Sequence, residues 1–210
     1  MSENYIIGAG QIFTLLFVML GPLKMLGPYA KATHTLSPEK LRSVSLKATV
    51  IALISLLIGG YIGKFLLGNW GIPLSVLELT SGVVFLIMAL IIIFIPRKEE
   101  PAGVKANSET EVRPPAVAFS MIVTPYGVAV VIALLAASVS LHRTLLILGL
   151  LVFVLFLDLL AMLYIRQLMG KTGTMIMQML GAVLAVLQAA LAVQMIILAL
   201  KLLKNDLPIL

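Results

Sequence analysis

Apolar residues fill six long segments of the chain with very few polar interruptions. Each segment has about 20 residues or more, the length that a helix rising 1.5 Å per residue needs to cross a bilayer. Runs such as "MALIIIFI" do not alternate polar with apolar residues, which excludes transmembrane β-strands. The pattern therefore predicts an all-α, polytopic membrane protein with six transmembrane helices. The segments are 5–30, 47–67, 75–95, 116–140, 145–165 and 174–200.

Composition supports the membrane assignment. The 210 residues are 61% hydrophobic and 11% charged, whereas soluble domains have about 25% charged residues. A single small globule could not bury this much apolar sequence. The first segment lacks the basic region and cleavage site of a secretory signal, so we expect it to remain as a span. Cysteine is absent, which excludes disulfides, thiol catalysis and cysteine-based zinc sites.

The formal charge of +6 predicts an orientation rather than binding to nucleic acid. The loops after spans one, three and five contain ten basic residues, against four on the opposite side. Basic loops face the cytoplasm, so we expect an inner-membrane protein with both termini outside and the loop 96–115 in the cytoplasm. The ten are Lys31, Lys40, Arg42, Lys47, Arg97, Lys98, Lys105, Arg113, Arg166 and Lys171, and the four are Lys64, Arg143, Lys201 and Lys204.

The segment 96–115 is the one extended polar stretch, and it divides the chain into two halves. It is rich in proline, glutamate and small residues, a composition typical of a disordered connector. We therefore predict a first three-helix repeat at 1–95, a cytoplasmic linker at 96–115 and a second repeat at 116–210. A helix start is also predicted before span two, where Ser37 is the N-cap and Pro38 the first helical residue.

The two halves have corresponding helix breakers. Span one contains Gly21 and Pro22, and span four contains Thr124, Pro125 and Gly127. Span three contains Ser81 and Gly82, and span six contains Gly181. Gly82 follows the proline of span one by 60 residues, and Gly181 follows the proline of span four by 56 residues. An odd number of spans per repeat inverts one half relative to the other, as in many secondary transporters. Chance is the alternative, because membrane helices tolerate proline and glycine.

A proline break leaves unpaired backbone amides and carbonyls at membrane depth. The amide end of a helix can bind a carboxylate, and the carbonyl end can bind a cation or an ammonium group. Two such ends are what a zwitterionic solute needs. The alternative is a pair of ordinary proline kinks satisfied by neighbouring helices.

Apart from Lys47 and Lys64, which bracket the uncharged part of span two, three charged residues lie inside predicted spans, where charges usually have a function. Lys24 is in the first break, although it is close enough to the boundary to extend into the interface. Glu78 either anchors span three at the outer surface or faces a cavity. Asp158 is the carboxylate most deeply embedded in the sequence, and it either carries protons, neutralises Lys24 or forms a simple structural ion pair.

Four stretches together resemble the MarC family, also called the small neutral amino acid transporter family, which is grouped with the lysine-exporter superfamily. They are "GPLKMLGPYAKATHTLSPEKLRSVSLKA", "WGIPLSVLELTSGVVFLIMALIIIF", "AVAFSMIVTPYGVAVVIAL" and "GKTGTMIMQMLGAVLAVLQAALAVQMI". Their order and spacing carry the resemblance almost from end to end. It implies six helices, no known cofactor, and transport of small neutral amino acids by at least some members.

This chain departs from the family pattern at the residues that matter most for a ligand. The family's Asp-Pro-x-Gly-Asn-x-Pro begins here at Gly21, keeps Pro22 and has Lys24 in place of its glycine. The family's Arg-Ile-Ala-Gly-Gly begins here with Glu78, so an anion replaces a cation. Gln178 stands where the family has an arginine. The resemblance therefore implies the fold more directly than the substrate.

We expect a secondary transporter of small neutral amino acids or similar amphoteric solutes, with no cofactor and with a proton or sodium ion as coupling ion. The alternative is a membrane scaffold or stress-linked protein without a substrate. Metal, phosphate and nucleophile motifs are absent, so no enzymatic activity is expected. The expected partners are the bilayer, the solute and a second copy of the chain, but not nucleic acid. The candidate pathway residues are Gly21, Pro22, Lys24, Glu78, Ser81, Gly82, Thr124, Pro125, Gly127, Asp158, Gln178 and Gly181.

Overall fold

The computed structural model describes residues 8–94, 112–138, 140–168 and 171–206, and for some helical residues within these ranges only the backbone. The described residues form α-helices joined by short turns, and no strand occurs among them. The predicted all-α class is confirmed. The helices are α1 (Ala9–Leu20), α2 (Leu26–Thr33), α3 (Pro38–Asn69), α4 (Leu74–Phe94), α5 (Pro114–Val117), α6 (Pro125–Ala136), α7 (Leu141–Leu163), α8 (Ile165–Leu168) and α9 (Lys171–Asp206).

Within the described residues, three helical stretches are long and apolar enough to cross a membrane: Pro38–Asn69, Leu141–Leu163 and Ala185–Lys204. A fourth span is possible if Pro114–Ile122 and Pro125–Ala136, which meet at a bend of 70°, cross together. The shorter apolar helices Ala9–Leu20 and Ser75–Ile91 accompany them. These elements confirm a polytopic membrane protein, and the number six remains a prediction.

The first predicted segment is broken at its glycine and proline. Helix α1 ends at Leu20, the chain is extended at Gly21 with ψ 168°, and a 3-10 turn at Pro22–Lys24 leads into α2. The Gly21 amide donates to the Phe17 carbonyl at 2.9 Å. A Cβ atom at residue 21 would lie 2.0 Å from that same carbonyl oxygen, so only glycine fits there.

The fourth segment is broken in a different way. A π-helical turn at Ala118–Ile122 follows α5, and Thr124 then caps α6 by accepting a hydrogen bond from the Gly127 amide at 3.3 Å. Helix α5 begins at Pro114, so the last two residues of the predicted linker are helical. Most of that linker lies in 95–111, outside the described residues.

Helix α3 has one face towards lipid and one towards the bundle. It begins at Pro38 with Ser37 as N-cap, as predicted. Its buried residues recur every three or four positions and include Ala48, Ala52 and Leu56. On the opposite face, large apolar side chains four residues apart are about half exposed, which suits hydrocarbon and not water. These are Leu46, Val50, Ile54, Ile58 and Ile62.

The helix contacts made by the first half of the chain have counterparts in the second half. Helix α4 pairs with α9, α1 with α6, and α3 with α7. Helix α3 packs on α5 and α6 of the second half, and α7 correspondingly packs on α1 and α2 of the first. Helix α4 contacts α6, and α9 contacts the turn after α1.

Three contacts place the loop regions at opposite ends of the bundle. At one end, Arg166 donates to the Leu36 carbonyl. At the other end, Lys64 donates to the Ser138 carbonyl at 3.4 Å. Pro114 and Pro115 line a groove together with Lys47, near the start of α3. The loops after the first and fifth predicted spans therefore share one end, as the charge pattern predicts.

Candidate functional site

The two helix breaks contact each other inside the bundle. The Lys24 ammonium group donates to the Thr124 hydroxyl at 3.3 Å, across 100 residues of sequence. Just beyond this contact, α6 packs on Gly59 and Gly60 through Val128 and Val131. Gly63 meets Ile132 in the same way, so α3 and α6 run in the same direction. Thr124 lies one turn before Val128 and therefore at the level of the turn before Gly59, near the centre of the uncharged part of α3, 48–63. Both breaks thus lie near the middle of the bundle.

The second partner of Lys24 is a carbonyl that the break has freed. Helix α1 ends at Leu20, so its last carbonyls lack a partner in the next turn. The Lys24 ammonium donates to one of them, the Met19 carbonyl. It also lies over the Tyr126 ring, 4.8 Å from the centroid, a cation–π geometry. The side chain is partly buried and is directed to the break, which excludes the interfacial orientation left open by the sequence.

Asp158 supplies the opposite charge. It lies on α7, is fully buried, and is close enough to Lys24 for the two charges to interact. Neither carboxylate oxygen has a hydrogen-bond partner among the described residues. The pair is thus coupled through space rather than by a direct hydrogen bond, and removing either charge would leave the other uncompensated in a low-dielectric interior.

Gly127 permits the close approach of the two broken helices. A Cβ atom there would lie 2.4 Å from Cδ2 of Leu20 and 2.9 Å from the Thr124 hydroxyl oxygen. The second-half motif therefore has two separate roles: Thr124 caps α6 and accepts from Lys24, while Gly127 leaves room for the end of α1. Pro22 is buried at the first break, whereas Pro125 is exposed.

Glu78 lies apart from this contact, in a small cavity of about 50 Å³. One of its carboxylate oxygens is buried without a partner in the described residues. The space would hold a few water molecules at most, well below the 300 Å³ or more of ordinary ligand pockets. Apolar residues of three helices form its walls: Leu15, Val130, Ala133, Leu134, Ala137, Met195 and Leu198.

The remaining candidates lie on the α4 and α9 pair. A Cβ atom at Gly82 would lie 2.8 Å from Ile196 and 3.2 Å from the Ala192 carbonyl oxygen, so this glycine allows the two helices to pack. The Ser81 hydroxyl is buried and lacks a partner among the described residues. Gln178 and Gly181 lie in α9 where only the backbone is described, so their surroundings fall outside the described residues.

Five of the candidate residues thus lie at the contact between the two breaks: Gly21, Pro22, Lys24, Thr124 and Gly127. Asp158 is close enough for its charge to interact with that of Lys24. Glu78, Ser81 and Gly82 lie elsewhere. The residues missed by the sequence reasoning are Met19, Leu20 and Tyr126. The aromatic residue follows Pro125 directly and could have been included with its motif, whereas nothing in the sequence marks the Met19 carbonyl as the acceptor for Lys24.

Chemically, the contact combines the carbonyl end of α1, the capped amide end of α6, one ammonium group and one carboxylate. Such a set can bind small charged or zwitterionic groups. Within the described residues, no three histidine or carboxylate side chains lie close enough to hold a metal ion.

Comparison with known proteins adds one finding. The model of the MarC family integral membrane proteins matches residues 7–203, which is nearly the whole chain. Neither curated proteins nor solved structures gave a match.

Proposed function

The chain belongs to the MarC family of integral membrane proteins, and on that premise we propose that it is a secondary transporter of small neutral amino acids or similar small amphoteric solutes. The observation that carries this proposal is the contact of two broken helices inside the bundle, at Lys24 and Thr124. In secondary transporters, broken helices supply the backbone groups that bind solutes and coupling ions near the bilayer midplane.

The two halves act as inverted repeats in this proposal. At the level of the predicted spans, each main contact has a counterpart when the halves are exchanged, which supports a two-fold axis in the membrane plane. Such an axis places the two breaks at mirrored depths, so they can contact each other only near the bilayer midplane. The contact between Lys24 and Thr124 is of this kind. The repeats are 1–95 and 116–210, joined by a cytoplasmic linker at 96–115, with both termini outside the inner membrane.

A zwitterion would bind between the opposed helix ends. Its carboxylate would lie between the amide end of α6 and the Lys24 ammonium group, and its own ammonium group would lie at the carbonyls of the α1 end that Lys24 does not occupy. Gly127 and Leu20 close this space in the described conformation. Access therefore requires that α1 and α6 separate, which the two breaks permit because each half-helix can tilt without bending the other.

Transport by the purified protein tests the proposal. The protein would be reconstituted in liposomes and assayed with glycine, alanine, serine and threonine under proton and sodium gradients. Uptake above protein-free liposomes is expected for at least one of them. Lys24→Gly restores the family's residue at this position and should change the order of preference, whereas Lys40→Gly, at an exposed position, should not. Absence of binding and movement for the whole panel would overturn the substrate class.

A membrane scaffold without a substrate is the second candidate. It is favoured by the tight packing of Gly127 on Leu20 and by the small size of the cavity beside Glu78. Labelling distinguishes the two functions. In a transporter, cysteines introduced at Leu20 and Thr124 should react with small water-soluble thiol reagents in a solute-dependent manner, whereas in a scaffold both should remain unreactive under all conditions.

A further inference from the structure

The surroundings of the Lys24 ammonium group have the composition of a monovalent-cation site. Its neighbours are the Met19 carbonyl oxygen, the Thr124 hydroxyl oxygen and the charge of Asp158. Hard cations prefer oxygen ligands of these kinds. In transporters, unwound backbone carbonyls and the C-terminal ends of half-helices coordinate sodium ions.

The acceptor groups at this place are supplied by the fold and do not depend on the lysine. The Met19 carbonyl is free because α1 ends at Leu20. The Thr124 oxygen is fixed because it also caps α6 through the Gly127 amide. Asp158 is held on α7, fully buried, with both carboxylate oxygens unpartnered among the described residues.

A buried carboxylate with two unpartnered oxygens is the independent sign of a ligand. Such a group is costly unless a cation compensates it. Lys24 compensates the charge through space but donates its hydrogen bonds to Met19 and Thr124. Among the described residues, the Asp158 oxygens therefore remain available to an ion, which is the condition expected where a tethered ammonium group compensates the charge in place of that ion.

We propose that the Lys24 ammonium group occupies a monovalent-cation site in which the Met19 carbonyl and the Thr124 hydroxyl are the ligands in contact and the nearby Asp158 carboxylate supplies the compensating charge, so that the native protein binds no sodium ion where its two broken helices meet. Removing the lysine side chain creates a sodium site there. The consequence that native transport is independent of sodium rests on the proposed function, whereas the site itself does not.

The test is a measurement of thermal stability in detergent with Lys24→Ala and Lys40→Ala. Each protein is unfolded in sodium, potassium and choline chloride at equal ionic strength. Wild type and Lys40→Ala should have the same Tm in all three salts. Lys24→Ala should gain about 5 °C in sodium or potassium relative to choline, with a saturable dependence on concentration, because a ligand bound only by the folded state stabilises it.

Two further variants distinguish specific coordination from a general salt effect. In Lys24→Ala, the additional change Asp158→Asn should abolish the response to the cation, whereas Glu39→Gln, at an exposed carboxylate, should preserve it. Methylammonium and ammonium ions should also stabilise Lys24→Ala, since they replace the missing group directly. If Lys24→Ala unfolds in choline, these ions and sodium should restore the folded protein.

Equal Tm values for Lys24→Ala in all salts would overturn the site. The same holds for a response that survives Asp158→Asn, and for a variant that no cation restores. A protein that passes this test but moves no amino acid in liposomes would contradict the proposed function and leave the cation site intact.

Discussion

At the scale of single residues, the most demanding feature is the pair of opposite charges inside an apolar bundle. Lys24 has two acceptors and an aromatic face, while Asp158 has no hydrogen-bond partner in the described part of the chain. The stability of each buried charge therefore depends on the other to a different extent. The ammonium group keeps some compensation without the carboxylate, but the carboxylate depends on the ammonium group.

This asymmetry leads to a double-mutant prediction. In sodium-free buffer, Lys24→Met should cost about 3–5 kcal/mol of unfolding free energy, because it leaves a buried charge uncompensated. Asp158→Asn should cost less. The double variant should be more stable than Lys24→Met alone. Denaturant titration in detergent measures all three, with Lys40→Met as an exposed control expected to change stability by less than about 0.5 kcal/mol. Strictly additive losses would contradict the coupling.

Gly127 provides a second prediction at this scale. Gly127→Ala should lower stability by about 1–3 kcal/mol, because its methyl group overlaps Leu20 and forces the two broken helices apart. Adding Leu20→Ala should recover part of the loss. Gly149→Ala is the matched control, since a Cβ atom at this helical glycine meets nothing within 4 Å. An unchanged Tm for Gly127→Ala would show that the breaks are not in close contact.

At this scale the sequence predicted which residue types are unusual but not which of them meet. Lys24 and Asp158 stand out because each is charged within an apolar segment. Their proximity depends on how α1 and α7 pack, and several arrangements of helices satisfy the same hydropathy pattern. Gly82 stays a pathway candidate, and the sequence does not indicate that a Cβ atom there would lie against Ile196 and the Ala192 carbonyl of α9.

At the scale of helices, close packing of α3 on α6 depends on particular glycines. A Cβ atom at Gly60 would lie 2.8 Å from Val131 and 2.9 Å from Leu135, while the same atom at Gly59 would have an ordinary contact at 3.5 Å with Val128. Neighbouring residues on one helix thus differ sharply in the space available.

We therefore expect Gly60→Ala to reduce stability and Gly59→Ala to leave it unchanged or slightly raise it, since alanine favours the helix. Thermal unfolding of both variants in the same detergent measures the difference. Equal effects of the two substitutions would mean that α3 and α6 do not pack through this face.

Helix breaks and helix starts were the elements best predicted by the sequence. Pro22 and the Thr124 to Pro125 pair mark positions where backbone hydrogen bonding must change, and such local rules act without reference to the rest of the fold. The form of each break was not predictable. The extended residue at Gly21 and the π-helical turn before Thr124 reflect packing against other helices.

At the scale of the whole molecule, thiol labelling can show which end of the bundle faces the cytoplasm. The chain contains no cysteine, so each introduced cysteine is the one reactive thiol. In cells, Lys40→Cys should be protected from a membrane-impermeant thiol reagent until the membrane is permeabilised. His142→Cys, at the opposite end, should react from outside. The unsubstituted protein is the control for background labelling. The reverse pattern would invert the proposed orientation without changing the fold.

The coupling of Lys24 to Asp158 also has a consequence for the order of assembly in the membrane. The lysine enters the bilayer with the first span, and its carboxylate partner arrives only with α7. A lysine at the centre of a lone helix costs about 2.5–3.5 kcal/mol to insert, and Lys24, which lies towards the end of the first predicted span, should cost part of this amount. The first span is therefore poorly retained by itself during synthesis. In a nascent chain that stops before α7, this segment should remain at the membrane surface or bound to the insertion machinery, and its integration should become stable only after α7 has entered.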